Sequence, residues 1–408
     1  MLSAVSVSAA GQGAASALWI LVAATVAIAI VPGLALFYGR IGGTGSASAR
    51  SILGSVAVTT VIWIAFGYGT AFGEPLVPGL LGDPSDSIGL LPLLGVNSGG
   101  AMAPRLDGLV NAGFHLVLAI VAVTLIAAAL GDRVRLAVWL SFVAAWVSLV
   151  YLPVAYWVFN SDGWAATIGV TDLAGGTVVQ ISAGATALAL LFVLRKRSRL
   201  APAEVNRGRS DSLALLGVGL AWMGWLGMNA GAEAAVDGTT ALIWINTLAA
   251  PAAGILAWLL EQKLRGGDVT AHGAASGALA GLVAITPACG ILTPVWAMVL
   301  GLAAGALCSA ATRWGRRGEF GDSFAVVGIH LIGGLTGVLF IGVAGSAIGL
   351  IYNGSLASLG AQIATAAGVA AYSFAVAWLL ALILEKSAGL GLVPRGAEVP
   401  VPSVSAGT

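Results

Sequence analysis

The chain has 408 residues, 59% of them hydrophobic and only 9% charged, and its mean hydropathy is +0.99. No soluble globular domain has that composition, so the chain belongs in a bilayer. Eighteen Lys and Arg against 17 Asp and Glu leave a net charge of +1, which gives no electrostatic basis for binding nucleic acid. The two cysteines, Cys289 and Cys308, lie in apolar runs and are too few for a disulfide scaffold or a thiolate metal site, so they read as packing residues. No Lys or Arg precedes Arg40. The N-terminus therefore lacks the basic region of a cleaved signal peptide, and its first apolar run reads as a retained span. Fifty-eight Gly and 14 Pro predict close helix packing and interrupted helices.

Apolar stretches long enough to span a bilayer occur eleven times, near 16–39, 52–73, 106–130, 135–159, 174–194, 213–232, 239–261, 269–288, 291–312, 323–348 and 358–384. The basic residues check this count independently. Arg40 and Arg50, Arg133 and Arg135, the six between Arg195 and Arg209, Lys263 and Arg265, Arg313 to Arg317, and Lys386 with Arg395 all fall in alternate connections. Seventeen of the 18 basic residues thus share one side and Arg105 alone takes the other, which predicts an N-terminus outside and a C-terminus in the cytoplasm. The 74–105 connection, rich in Gly, Pro and Leu, is expected to hold a re-entrant or capping segment, and 195–212 a basic cytoplasmic linker. Residues 1–390 read as one membrane domain and 391–408 as a short disordered cytoplasmic tail. The fold class is an all-α membrane protein of two inverted five-helix repeats plus a final helix. The fifth span carries AGGTVVQISAG and the tenth VVGIHLIGG, each a small-residue helix with one strongly polar side chain at its centre, Gln180 and His330. Polar groups in mid-membrane are expensive and mark a pathway, so these two are expected to meet.

Several stretches resemble the Amt/Mep/Rh ammonium transporter family. They are VPGLALFYGR at 31–40, AALGDRVRL at 128–136, TDLAGGTVVQISAG at 171–184, GWLGMNAGA at 224–232, SGALAGLVAITPACG at 276–290 and VVGIHLIGG at 326–334, in the family's order over residues 15 to 390. The resemblance implies eleven helices, a homotrimer in the plasma (inner) membrane, and one narrow apolar pore per subunit. It also implies a vestibule that attracts ammonium, an aromatic gate and two facing pore histidines. Carried over position by position, the vestibule acid is Asp172, the tryptophan of the GWxGxNAG run Trp225, the outer gate phenylalanine Phe114 and the second pore histidine His330.

Other positions depart from the pattern. Gln180 replaces the first pore histidine, Leu118 the second gate phenylalanine, Phe159 the vestibule tryptophan, Met228 an aromatic, and Ala232 the vestibule serine, with Glu233 directly after it. His115 stands where the family has Gln. A carboxamide never changes protonation state, so Gln180 cannot relay a proton as an imidazole does. Asp172 suits a helix N-cap that doubles as a field source. Glu233 and Asp237 are either solvated loop acids or a hold for a cationic amine. His272 reads as structural, and Tyr156, Trp157 and Trp164 also fit an aromatic belt.

The first functional reading is an ammonium or methylammonium channel that recruits its substrate at Asp172, Phe114, Trp225, Phe159 and Glu233 and conducts ammonia past Gln180 and His330. The second is a membrane-embedded enzyme acting on an amine, for example by nitrosation or diazotisation, with His115, Tyr156, Glu233 and Asp172 as catalytic candidates. The third is an ammonium sensor that does not transport. No cofactor or metal is implied, because the three histidines fall on three different spans without ligand spacing. The short tail argues against a PII-type regulator.

Overall fold

The computed structural model describes residues 14–42, 45–95, 100–130, 133–194, 207–317, 320 and 323–389. The expected tail at 391–408 and most of the expected basic linker lie outside the described residues. Among the described residues ten helices are long and apolar enough to cross a membrane: α1 (Ala15–Gly39), α2 (Ser48–Phe72), α3 (Leu106–Ala128), α4 (Leu136–Phe159), α5 (Gly176–Leu194), α6 (Asp211–Gly231), α7 (Gly238–Leu264), α9 (Pro294–Gly315), α10 (Phe324–Ala344) and α11 (Ala357–Ser387). Between α7 and α9, the stretch expected as a span at 269–288 forms a shorter helix, α8 (Ala271–Ile285). Pro287 sits two residues beyond its end and cannot continue the ladder. The turns that follow are held from α7, where Nδ2 of Asn246 donates to the carbonyls of Cys289 (2.8 Å) and Leu292 (2.7 Å).

Proline removes a ladder donor from several helices, and the freed carbonyls find partners, as a medium without water requires. In α1, Pro32 has no N–H for the carbonyl of Ile28, and the helix breaks there into Ala14–Ala27 and Ile30–Gly42. In α4, Pro153 frees the carbonyl of Leu149, which accepts from the Tyr372 hydroxyl of α11 at 2.7 Å. In α7, Pro251 frees the carbonyl of Thr247, which accepts from Nε1 of Trp222 on α6 at 3.0 Å. The same substitution of a side-chain donor for a backbone one thus serves both halves of the chain.

Gln180 and His330 each lie within a π-turn, Gly176–Ile181 at the start of α5 and Val327–Leu331 near the start of α10. Such wide turns concentrate at functional positions. Four residues after each polar residue stands a glycine that seats the opposite helix. A Cβ on Gly184 would lie 2.6 Å from the amide nitrogen of Leu331, and one on Gly334 would lie 3.1 Å from Cβ of Gln180. The crossing is reciprocal, each half supplying the glycine that lets the other's polar residue reach the middle.

The 74–105 connection forms a small hairpin, β1 (Pro75–Val77) antiparallel to β2 (Leu81–Gly82), followed by a 3-10 turn at Pro84–Leu90 and a helical turn at Leu91–Leu94. It is tied to α4 by Nε1 of Trp157, which donates to the carbonyl of Leu80 at 2.9 Å. At the opposite, arginine-rich end, Glu261 of α7 accepts from Arg265, Arg313 and Ser309, joining α7 to α9.

Candidate functional site

Gln180 and His330 are fully buried and in contact: Nδ1 of His330 lies 2.7 Å from Oε1 of Gln180. A carboxamide oxygen only accepts, so Nδ1 carries the hydrogen and Nε2 of the neutral ring carries the lone pair. Tyr38 of α1, also fully buried, places its hydroxyl 2.9 Å from that Nε2 and donates to it. Three helices thereby deliver one hydrogen-bonded chain, Tyr38 to His330 to Gln180, and its polarity is fixed by the amide at its end. The Nε2 amide group of Gln180 is buried and has no hydrogen-bond partner among the described residues. Below Tyr38, Phe37 meets it edge-on at 4.7 Å and stacks on His272 at 5.1 Å between ring centres.

Toward the end of the bundle that carries the 74–105 connection lies a cavity of about 20 Å³. Of the residues expected from sequence, it is lined by Phe114, His115, Leu118, Phe159 and Ala232. Asn111, one turn before His115 on α3, also lines it and was not anticipated. Phe114 packs its ring edge against Gly231, where a Cβ would come within 2.7 Å of it. Leu118 bridges toward the buried pair, because a Cβ on Gly175, five residues before Gln180, would lie 3.4 Å from its side chain. Phe72, Phe114 and Phe159 surround the His115 ring edge-to-face, at 4.4, 5.6 and 5.3 Å.

The remaining candidates sit outside this lining. Asp172 caps the first turn of α5: Oδ1 accepts from the amides of Gly175 (2.9 Å) and Gly176 (2.7 Å), and Oδ2 from Thr177 (2.6 Å). Burial raises its carboxyl above the ordinary carboxylate range, and the three amides oppose that rise. Its neighbour Leu173 lines the cavity. Trp225 is buried and donates through Nε1 to Thr286 at 2.8 Å. Met228 and Tyr156 are fully buried. Glu233 follows Ala232 in the chain and is half-buried; burial, with Asp237 nearby, raises its carboxyl. Asp237 caps α7, its Oδ1 accepting from the amides of Thr239 (2.9 Å) and Thr240 (3.0 Å). Among the described residues no three His, Cys, Asp or Glu side chains gather closely enough to hold a metal ion.

Tyr38 and Asn111 were the residues that sequence reasoning passed over. The available signal for Tyr38 was a lone hydroxyl in an apolar helix, which must find a partner when buried. For Asn111 it was a second polar residue four positions from His115, on the same helix face.

The sequence matches the Ammonium Transporter Family over residues 17–402. An ammonium transporter of Mycobacterium tuberculosis (strain ATCC 25618 / H37Rv) is 39% identical over 413 residues, covering 92% of this chain and 85% of that protein. One from Bacillus subtilis (strain 168) is 33% identical, covering 90% and 94%. The crystal structure of Saccharomyces cerevisiae Mep2 superposes with a TM-score of 0.84 at 26% identity, over 95% of this chain and 91% of that one. A structure described as a sensor Amt protein gives 0.82 at 26% identity, covering 93% and 95%. With apolar helices that span the membrane, a buried polar pair and homology along nearly its whole length, this chain is a multi-pass membrane protein that belongs to the ammonium transporter family.

Proposed function

We propose that the protein recruits ammonium at the cavity beside Phe114 and conducts it as neutral ammonia past the bonded pair of Gln180 and His330, without net charge movement. The observation that carries this reading is the unpartnered Nε2 amide of Gln180, buried beside His330. A buried N–H wants an acceptor. Ammonia has a lone pair to accept that hydrogen bond and ammonium has none, so the group favours the deprotonated species.

The bonded chain also decides where the proton goes. An imidazole relays a proton by gaining one at a ring nitrogen and releasing the other. Here the hydrogen on Nδ1 of His330 faces only the Gln180 carbonyl oxygen, which is no base, so a relay along this pair ends at once. The proton left by ammonium returns through the entry cavity, where Asp172 and Glu233 stand close in sequence to residues of its lining. The Tyr38 hydroxyl occupies Nε2 of His330, so a molecule that bonds this nitrogen on its way through displaces it.

In this reading the arginine-poor end faces outward and the C-terminus lies in the cytoplasm, with α8 supplying the eleventh crossing. From Ala275 onward every residue of α8 is buried, and a helix sheathed by protein needs less apolar length than one facing lipid. Residues 1–390 form a single membrane domain, and subunits assemble as homotrimers.

The test is reconstitution in liposomes, with lumenal pH and transmembrane current followed after an ammonium jump. The wild-type protein is expected to alkalinise the lumen beyond protein-free vesicles without a matching current. His330→Ala should lose most of that flux, and Gln180→His, which restores a titratable ring, should gain current. A wild-type current that accounts for the uptake would refute the electroneutral route. A folded protein with no flux would instead favour the sensor reading, which the sensor Amt protein among its structural neighbours keeps open.

A further inference from the structure

The last helix, α11, gives no side chain to the Tyr38–His330–Gln180 chain, yet it carries one strongly polar group into the bundle. Ile363, Leu379 and Ile383 leave one side of it apolar and about half exposed, while Ala361, Gln362, Thr365 and Ala366 are buried on the other. Gln362 is 0% exposed, and a carboxamide sealed inside a membrane protein is costly unless it is bonded. Its Nε2 lies 3.0 Å from the carbonyl oxygen of Thr171, on a segment 191 residues away in sequence. A carbonyl only accepts, so the amide nitrogen faces it and donates. Oε1 of Gln362 has no partner among the described residues. The side chain is thus committed to Thr171.

Thr171 precedes Asp172, which puts this bond at the root of the pore pair. Asp172 gathers the amides of Gly175, Gly176 and Thr177, and the wide turn that begins there, Gly176–Ile181, carries Gln180. α11 packs directly on that turn. The approach to it has one loose joint, Gly175 at φ 99°, a conformation that glycine adopts without strain. The end of α8 holds it from one direction: the amide of Leu173 donates to the carbonyl of Pro287 at 3.2 Å, and a Cβ on Gly176 would lie 2.5 Å from the Pro287 ring. Gln362 supplies the second hold, from a different helix. The tolerance is small, because a withdrawal of about 1 Å at Gln180 takes its 2.7 Å bond to His330 beyond hydrogen-bond range.

We propose that Gln362 is a positioning residue for ammonia passage: by holding the Thr171 carbonyl it sets where α5 begins and keeps Gln180 within reach of His330. The functional half of this inference rests on the reading that ammonia passes the Gln180–His330 pair; the geometric half does not.

Solid-state NMR of the full-length protein in lipid bilayers, with 15N-labelled histidine, reads the pair directly. The chain has three histidines, so the bonded Nδ1–H resonance of His330 is the one that disappears in His330→Ala and moves upfield in Gln180→Leu. Gln362→Met keeps the length of the side chain and removes its donor. Gln362→Asn keeps the donor but withdraws it by one methylene, and serves where the methionine variant does not fold. Both should move the His330 resonance upfield as Gln180→Leu does, and in liposomes both should lower maximal ammonia flux about tenfold, the worth of the one hydrogen bond that Gln180 offers to ammonia. Thr365→Val is the packing control. It lies on the same buried side of α11 and loses a hydroxyl that has no partner among the described residues, so resonance and flux should both match wild type.

An unmoved His330 resonance in a folded Gln362 variant overturns the proposal, because a merely structural role would lower stability and leave the pair bonded. The same shift in Thr365→Val overturns it too, as does a shifted resonance with wild-type flux. The expected shifts in a protein whose wild type carries no ammonia uphold the positioning of Gln180 and refute the transport reading.

Discussion

Replacing Gly184 with alanine tests whether the reciprocal glycine crossing holds the pore pair together. The new Cβ would lie 2.6 Å from the Leu331 amide nitrogen and 2.8 Å from its Cα. Both are backbone atoms, so no side-chain rotation relieves the clash. Comfortable contact is about 3.5 Å, so α5 and α10 must part by about 1 Å at this point. The 2.7 Å bond between His330 and Gln180 would then stretch to about 3.7 Å, beyond hydrogen-bond reach. Overpacking costs about 1–3 kcal/mol, and stranding the buried Nδ1–H costs about as much again, for a total of about 2–6 kcal/mol. The measurement is unfolding by SDS titration in mixed micelles, alongside ammonium uptake. Gly219→Ala on α6 is the matched control, because nothing lies within 4 Å of the added methyl; it should stay within about 1 kcal/mol of wild type. If the two variants unfold alike and Gly184→Ala retains wild-type uptake, the glycine does not set the geometry of the pair.

Tyr38→Phe removes the donor at Nε2 of His330 and the hydroxyl that fills the space beside it. It should lower stability by about 1–3 kcal/mol while raising ammonia flux severalfold; unchanged flux would show that the hydroxyl does not obstruct the path. Glu233 gives a pH dependence with a definite sign. Its carboxyl is raised from 4.5 in the folded chain, so the folded state binds this proton more tightly than the unfolded state. Its stabilising effect is therefore present below 4.5 and falls away as pH rises through the raised value. Glu233→Gln removes that slope, so the variant should gain thermal stability relative to wild type between pH 4 and pH 7. An equal difference at both pH values would refute the assignment.

The positions of the spans were legible because an apolar run of bilayer length has no other use in a chain this poor in charge. Gln180 and His330 were legible for the complementary reason, since each is a strongly polar residue in a segment that otherwise tolerates none. That they touch follows from packing, which hydropathy does not encode. The π-turns that carry them widen the backbone locally, which hydropathy does not encode either. The partners of the pair were harder to read. Tyr38 sits in an apolar motif in which a tyrosine passes for an interfacial residue, and only its burial beside Nε2 of His330 gives it a role. Asp172 illustrates the opposite case: an Asp placed before a Gly-Gly pair at a helix start encodes its cap locally, and the amides of Gly175, Gly176 and Thr177 converge on it. Trp222 and Tyr372 were invisible from sequence, because what they satisfy is a carbonyl vacated by a proline on another helix.

The brevity of α8 bears on how the protein is made. Fifteen residues give a rod of about 22 Å, short of the roughly 30 Å of hydrocarbon that a newly synthesised segment meets on its own. Left alone in lipid it would strand the carbonyls of Cys289 and Leu292, whose donor is Asn246 on α7, and the Thr286 hydroxyl, which accepts from Trp225 on α6. Biogenesis must therefore set those two helices in place first, so that the ITPACG stretch matures as a late insertion into a groove already walled by earlier parts of the same polypeptide.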